Sequence, residues 1–258
     1  MARKKVLLVG ESWITSETHF KGVDSFIGGA TFHTVVRPII DALADSVFEL
    51  RHMPDHEAVE GFPFKLEGLL GYDAIILSDI GANSFLLSAE VCVHGKPVPN
   101  RLKLLEQWTA NGGGLIMAGG YVSFQGLDGK ARWGRTPVEH ALPVECLPYD
   151  DRIEFPEGFR AEILLPDHPI MAGVDGPWPL LLGMNEVRCK QRADTQIVAR
   201  APIEQGGHPL LVTGRHGKGR TIAWTSDIAP HWLPASFSQW AGYSKLWRNI
   251  LQWVTQRE

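Results

Sequence analysis

The 258 residues are 44% apolar and 21% charged, enough to bury a full hydrophobic core, which excludes a disordered tail, a peptide-sized module or a disulfide-dependent mini-protein. Lysine and arginine number 25 against 29 aspartates and glutamates, so the net charge of −4 gives no overall pull toward a phosphate backbone or an anionic membrane. Neither nucleic acid nor membrane is expected as a partner.

Val6-Leu7-Leu8-Val9, preceded by charge and followed by Gly10, reads as a strand buried on both faces of a parallel sheet. It is too short for a signal segment, and no stretch approaches the roughly 18 apolar residues of a membrane span. A long loop beginning Gly10-Glu11-Ser12-Trp13 leads to a helix over residues 31–44, where Val35, Val36, Ile39, Ile40 and Leu43 recur at helical spacing and Pro38 kinks or displaces one end. Phe48 to Arg51 and Tyr72 to Asp79 read as the next strands. A helix around Leu102, Leu105 and Trp108 ends at Asn111-Gly112, and Leu115 to Ala118 forms a fourth central strand. Gly119 to Trp133 is Gly-rich and aromatic, a long loop over the sheet. Thr195 to Ala201, Pro209 to Arg215 and Thr221 to Asp227 are late strands, the last two joined by the turn His216-Gly217-Lys218-Gly219 as an antiparallel hairpin. Leu246, Trp247, Ile250, Leu251 and Val254 make the apolar stripe of a terminal helix. Alternating strands and helices imply a doubly wound α/β sheet, read as a single domain over residues 1–258.

The three cysteines, Cys92, Cys146 and Cys189, are odd in number and lack CxxC spacing, which argues for a reducing compartment and a cytoplasmic location. Each reads as a packed, structural thiol. His52 and His56 are four apart, but Pro54 interrupts the helix that would align them, so the pattern points to no metal site. It points to no cofactor either: Gly217-Lys218-Gly219-Arg220 lacks the hydroxyl and upstream glycine of a phosphate loop.

Gly112-Gly113-Gly114-Leu115-Ile116-Met117-Ala118-Gly119-Gly120-Tyr121, then Pro209 to Val212, Gly217 to Arg220 and the Trp-rich terminal helix together resemble the class I glutamine amidotransferase-like superfamily, in particular its branch of chains with no assigned activity. The resemblance runs from Val6 to Val254. It implies a flavodoxin-like three-layer α/β sandwich, its central sheet mostly parallel with late antiparallel strands. Active members carry a cysteine at a tight strand-to-helix elbow, in a Gly-Ile-Cys-Gly-Gly type sequence. Set on Ile116-Met117-Ala118-Gly119-Gly120, that pattern puts Ala118 at the cysteine's place, and a methyl group cannot form the thioester of glutamine hydrolysis. The His-Pro-Glu type segment of such enzymes is missing as well; Asp227 and His231 lie in about that region without forming the motif.

In open α/β sheets ligands gather beyond the carboxyl ends of the strands. The residues there are Glu11, Ser12 and Trp13; Asp79 and Asn83; Gly119, Gly120, Tyr121 and Ser123; and Asp227 and His231. These are the candidate ligand-binding residues, and none is assigned a catalytic role. The reading is an amidotransferase-like domain, not a glutaminase, that binds a small molecule or protein partner at this edge. Two alternatives stay open: a hydrolase using Ser12 or Ser123 with His231 and Asp79 or Asp227, and a homo-oligomer joined through aromatic loops and the terminal helix.

Overall fold

A strand without a polar side chain must be covered on both faces, and the Val6 to Val9 run is the first of several such strands. The computed structural model describes residues 3–256. In chain order the strands are β1 (Lys4–Gly10), β2 (Ser12–Lys21), β3 (Asp24–Thr34), β4 (Phe48–Met53), β5 (Ala74–Ser78), β6 (Gly114–Ala118), β7 (Val144–Cys146), β8 (Arg152–Phe159), β9 (Glu162–Ile163), β10 (Leu181–Asn185), β11 (Val187–Cys189), β12 (Gln196–Arg200), β13 (Pro209–His216) and β14 (Gly219–Trp224). The helices are α1 (Arg37–Leu43), α2 (Asp55–Gly61), α3 (Asn83–Leu86), α4 (Ala89–Cys92), α5 (Arg101–Ala110), α6 (Pro137–Ala141), α7 (Ala235–Ser238) and α8 (Ala241–Val254).

The main sheet runs β4-β1-β5-β6-β14-β13-β12-β9; its first five strands are parallel and the last three pair antiparallel. Alternation divides its side chains between two cores. Val6, Leu8, Ile76, Ile116, Ala118 and Trp224 pack with α1 and α8 on one face. Leu7, Val9, Ile75, Leu77, Leu115 and Met117 pack with α2, α5 and α6 on the other. Helices cover both faces, and the parallel strands follow the 2-1-3-4-5 order of a flavodoxin-like sandwich, as expected from the sequence.

The segment after β1 departs from its expected form. In place of a loop and a helix from residue 31, β2 and β3 pair over their whole length as an antiparallel hairpin that ends in the two-residue turn Gly22-Val23, and α1 begins only at Arg37. Gly22 holds a φ of 65°, the conformation that tight hairpin turns reserve for glycine. Pro38 sits in the first turn of α1, where its missing N–H costs nothing, so it starts the helix instead of kinking it. Nearly every residue of the hairpin is exposed, and it projects from the body as an arm.

The face that carries α2 and α3 is tied together by Arg101. Its guanidinium is buried and donates to the carbonyls of Ala58, Val59, Phe62, Ser84 and Phe85, with the Phe64 ring 4.4 Å away. Removing the fork strands buried carbonyls, so Arg101→Met is expected to cost about 3 kcal/mol in urea denaturation. Arg101→Lys should recover only a minor part, since one ammonium cannot reach acceptors on both segments. A loss under about 1 kcal/mol for Arg101→Met would show that water replaces the fork.

Candidate functional site

Strand β1 connects outward to β4, and the chain then returns to place β5 on the other side of β1. At such a reversal, beyond the carboxyl ends of β1 and β5, sheets of this order form the crevice that holds ligands. Gly10 ends β1 at a φ of 111°, and a Cβ there would lie 1.8 Å from the Ser78 carbonyl oxygen, so only glycine lets the two strand ends approach this closely. Glu11 and Asp79, which follow the two strands, hold φ values of 54° and 46°. Left-handed backbone at two consecutive strand ends costs energy and marks a constrained site. The Ser78 hydroxyl donates to the Glu11 carboxylate at 2.5 Å, and the Glu11 N–H donates to the Ser78 carbonyl at 3.0 Å.

The third side of the crevice is the turn after β6. Gly120, at a φ of 145°, leaves no room for a Cβ, which would meet Asp79 Oδ1 at 2.7 Å. The Asn185 side chain clamps this glycine: the Gly120 N–H donates to Asn185 Oδ1 (3.0 Å), and Asn185 Nδ2 donates to the Gly120 carbonyl (3.1 Å) and to Asp151 (2.9 Å). Asp151 in turn accepts from the N–H groups of Gln125 and Gly126, fixing the loop after β6. Asp79 closes the circle, its carboxylate accepting from Val122 N–H at 2.6 Å and its N–H donating to the Ser123 hydroxyl at 2.9 Å.

The fourth side comes from the segment after β14. Asp227 is buried, accepts from the Trp232 N–H (2.8 Å) and pairs with His231 Nδ1 at 2.9 Å. The edge of Tyr121 meets the His231 ring with centroids 4.3 Å apart, and the Arg152 guanidinium lies 4.7 Å above Tyr121. Arg152 is itself held by two hydrogen bonds to Asp150.

Of the expected site residues, the fold brings together Glu11, Asp79, Gly119, Gly120, Tyr121, Ser123, Asp227 and His231. Ser12 is beside them, but its hydroxyl and N–H are bound to Asp55, which begins α2. Trp13 stands on the arm, stacked on His33, and lines a separate cavity of about 260 Å³ with Ser12, Asp55, His56 and Ser84. Asn83 is exposed at the start of α3, outside the acidic cluster. Sequence reasoning missed Asp55, Asp151, Arg152 and Asn185. Asp55 had a signal: β4 lies beside β1 with Met53 opposite Val9, so the residues after both strands meet.

The hydroxyls of both candidate nucleophiles are engaged, Ser12 with Asp55 and Ser123 with the Asp79 N–H, and neither is bonded to His231 among the described residues. The cysteines stand elsewhere. Cys92 is exposed on α4, contrary to the packed thiol expected there. Burial pushes the Cys146 thiol up, with Glu139 and Asp151 adding to it, and burial lifts Cys189 to about 11. These two are protonated and poorly nucleophilic at neutral pH.

The crevice is acidic and lacks a strong base. Burial pushes Asp55 up to about 7 and Asp79 up to about 6; for Asp79 the neighbouring Asp227 adds to the rise. Burial also raises Glu11 well above the usual carboxylate range, reinforced by Asp227 and Asp79. Asp227 is raised by burial against the pull of His231. Burial alone would lower His231, but its hydrogen bond to Asp227 and the charges of Asp227, Glu154 and Asp79 hold it above its ordinary value. No lysine or arginine is ion-paired with Glu11, Asp55, Asp79 or Asp227 among the described residues.

A carboxyl whose folded pKa exceeds its unfolded one stabilises the fold below the unfolded value, and that contribution is lost as pH rises through the folded value. For Asp79 the window runs from about 4, its value in an unfolded chain, to about 6. Asp79→Asn keeps an acceptor for Val122 and removes the charge. It should stabilise the protein relative to wild type at pH 8 by about 1 kcal/mol after allowance for solvent screening, and have little effect at pH 4. In thermal melts that is a Tm gain of about 2–4 °C confined to the higher pH; an equal gain at both would refute a raised Asp79.

The family model described as "Putative glutamine amidotransferase" matches residues 5–256. Two cytoplasmic proteins from Salmonella typhimurium have solved structures similar to this one, each with a TM-score of 0.90. One is 38% identical over 98% of this chain and 99% of its own, the other 36% identical over 98% and 100%. A ThuA-like protein from Bacteroides uniformis, 14% identical over 98% of this chain and 91% of its own with a TM-score of 0.59, shares the fold alone. No functionally curated protein matches the sequence. The family match covers every wall of the crevice, from Glu11 to His231, and the chain belongs to the glutamine amidotransferase-like family.

Proposed function

We propose that this amidotransferase-like domain works in the cytoplasm, does not release ammonia from glutamine, and binds a small cationic ligand in the crevice between β1, β5, β6 and β14. Position 118, where active members of the superfamily carry their cysteine, holds a fully buried alanine on the same face as Ile116 and Trp224. None of the three thiols stands in its place. The observation that carries the ligand class is the charge pattern: Glu11 and Asp227 are buried and Asp79 half-buried, near enough for the charge of Asp227 to raise the other two, with Asp55 beside them and His231 as the neighbouring base. Each carboxyl is held up because ionisation would place an unsolvated negative charge beside others. A positive charge in the crevice turns that repulsion into attraction, so ligand binding and proton release are coupled.

The test is a titration of primary amines such as putrescine and agmatine, followed by amide chemical shifts and calorimetry. Binding should tighten at least ~tenfold between pH 5 and pH 8, release protons, and weaken in Asp79→Asn and Asp227→Asn. Incubation with glutamine should yield no ammonia. The cationic reading is lost if no amine perturbs the residues at this edge, and the inert reading is lost if ammonia appears and depends on Cys92, Cys146 or Cys189.

A second reading, that the protein is a homo-oligomer, is favoured by the arm. It exposes Trp13, Ile14, Phe20, Val23, Phe26, Ile27 and Phe32, with only its base, at Trp13, Ile14 and Phe32, beside α2, and an isolated two-stranded hairpin is marginally stable. Ten-residue strands give a face ~33 Å long and ~10 Å wide. Two arms laid reciprocally on partner surfaces would bury on the order of 1,300 Å² in total, the size of a specific dimer interface. Light scattering on the full chain is expected to give a dimer or higher assembly. Ile14→Ser combined with Phe20→Ser and Phe32→Ser should shift it to monomer without changing the circular dichroism of the body; a monomeric wild type at high concentration removes this reading.

A further inference from the structure

The amino end of the sheet carries a second constellation, which no reading of the sequence suggested. Glu106 lies on α5, His140 near the end of α6 and His216 at the end of β13, where the chain turns into β14. The Lys218 N–H donates to the Ala110 carbonyl, which puts this turn against the end of α5, away from the acidic crevice. His140 Nδ1 is 2.5 Å from Glu106 Oε1, and His216 Nε2 is 3.6 Å from the same oxygen. The imidazole rings meet edge to face with centroids 5.2 Å apart. One donor atom from each of the three side chains lies within 4.8 Å of the other two, and among the described residues no other trio of histidine, cysteine or acidic side chains does so.

We propose that Glu106, His140 and His216 bind one first-row transition metal ion, of the class that zinc represents. Ligands at ~2.0–2.2 Å around a tetrahedral ion stand ~3.3–3.6 Å apart, so the carboxylate and the His216 nitrogen already have the required separation and the His140 nitrogen needs a displacement of ~1 Å. Two imidazoles and one carboxylate suit zinc, cobalt or nickel and not magnesium or calcium, which prefer all-oxygen shells. His140 is exposed, so water can supply the fourth position and an ion can enter. Burial lowers the His216 imidazole, and of the charges around it Glu106 opposes this while His140, Arg192 and Lys190 reinforce it. Lys190 and Arg192 are themselves spent partly on backbone, Lys190 donating to the carbonyls of Glu139, His140 and Leu142 and Arg192 to that of His140. An ion held here would pin α5 and α6 to the β13–β14 turn.

Tag-free protein, stripped with chelator, is titrated with zinc and with cobalt by calorimetry and visible absorption. One equivalent per chain is expected, with cobalt giving the intense bands of a four-coordinate site. Glu106→Gln, His140→Ala and His216→Ala should each weaken binding at least ~tenfold, while His94→Ala, an exposed histidine elsewhere, leaves it intact. Imidazole nitrogen shifts of the wild type give a reading independent of any variant's folding: the His140 and His216 signals should move on zinc addition. Absence of saturable zinc binding, binding undiminished in both histidine variants, or zinc-induced shifts confined to other histidines would each overturn the proposal.

Discussion

The short hydrogen bond between Ser78 and Glu11 spans the place where the sheet reverses its order of growth, and the chemistry of the crevice depends on it. Parallel strands β1 and β5 bring their carboxyl ends side by side, and both chains then turn through left-handed backbone at an acidic residue. Such a conformation at a residue with a Cβ costs on the order of 1 kcal/mol or more and persists only where surrounding contacts demand it. Here the demands are visible. Glu11 N–H donates to Ser78, and Asp79 N–H donates to Ser123. The backbone is thus satisfied, and the two carboxyls are directed into a space where they face Asp227 and each other without a lysine or arginine partner.

That arrangement explains why the acidic groups rise together. Burial supplies the largest part for Glu11, Asp79 and Asp227; the charge of Asp227 adds to the rise of Glu11 and Asp79, and that of Glu154 to the rise of Asp227. A protein that needed these acids only for folding would gain by pairing them with arginine, as it does a short distance away, where Arg152 holds Asp150 well below the usual carboxylate range. The contrast within one chain separates the two uses of a carboxylate. Asp150 anchors a loop and a guanidinium beneath Tyr121, while Asp79 has no lysine or arginine partner among the described residues and Asp227 has the titratable His231.

Much of the fold was legible in the sequence because the buried strands are continuous apolar runs that stop at polar residues. Leu115 to Ala118 and Tyr72 to Asp79 marked β6 and β5 to within two residues, and Gly217 marked the turn between β13 and β14. The arm was not legible. With both faces in solvent it has no apolar and polar alternation, and the pattern that reveals a half-buried strand is absent from Ser12 to Thr34. The residues after the strand ends could be listed from sequence, and most of them meet. What could not be read was which would be consumed in structure. Ser12 is bound to Asp55 over 43 positions and Gly120 is clamped by Asn185 over 65. Such pairs depend on strand order and on the small sheets β8–β10 and β7–β11, which leave no local signature.

The turn after β6 is shaped by its two glycines. Gly119 and Gly120 still make a close approach, with Gly120 against Asp79 and Gly119 N–H directed to the carbonyls of Trp224 and Ser226. The side chain before them is directed into the core that Ile116 and Trp224 share, not into the crevice. A sulfur at position 118 would therefore be buried among apolar groups, where a thiol is held protonated. The nearest imidazole system, His231 with Asp227, is committed to its own pair and to Tyr121. The direction of residue 118 thus keeps the side chain of this turn out of the crevice, whatever its identity. Without a Cβ at 120, Asp79 can reach the Val122 N–H and stay beside Asp227 and Glu11, so the shape of this turn and the grouping of the acids are one constraint.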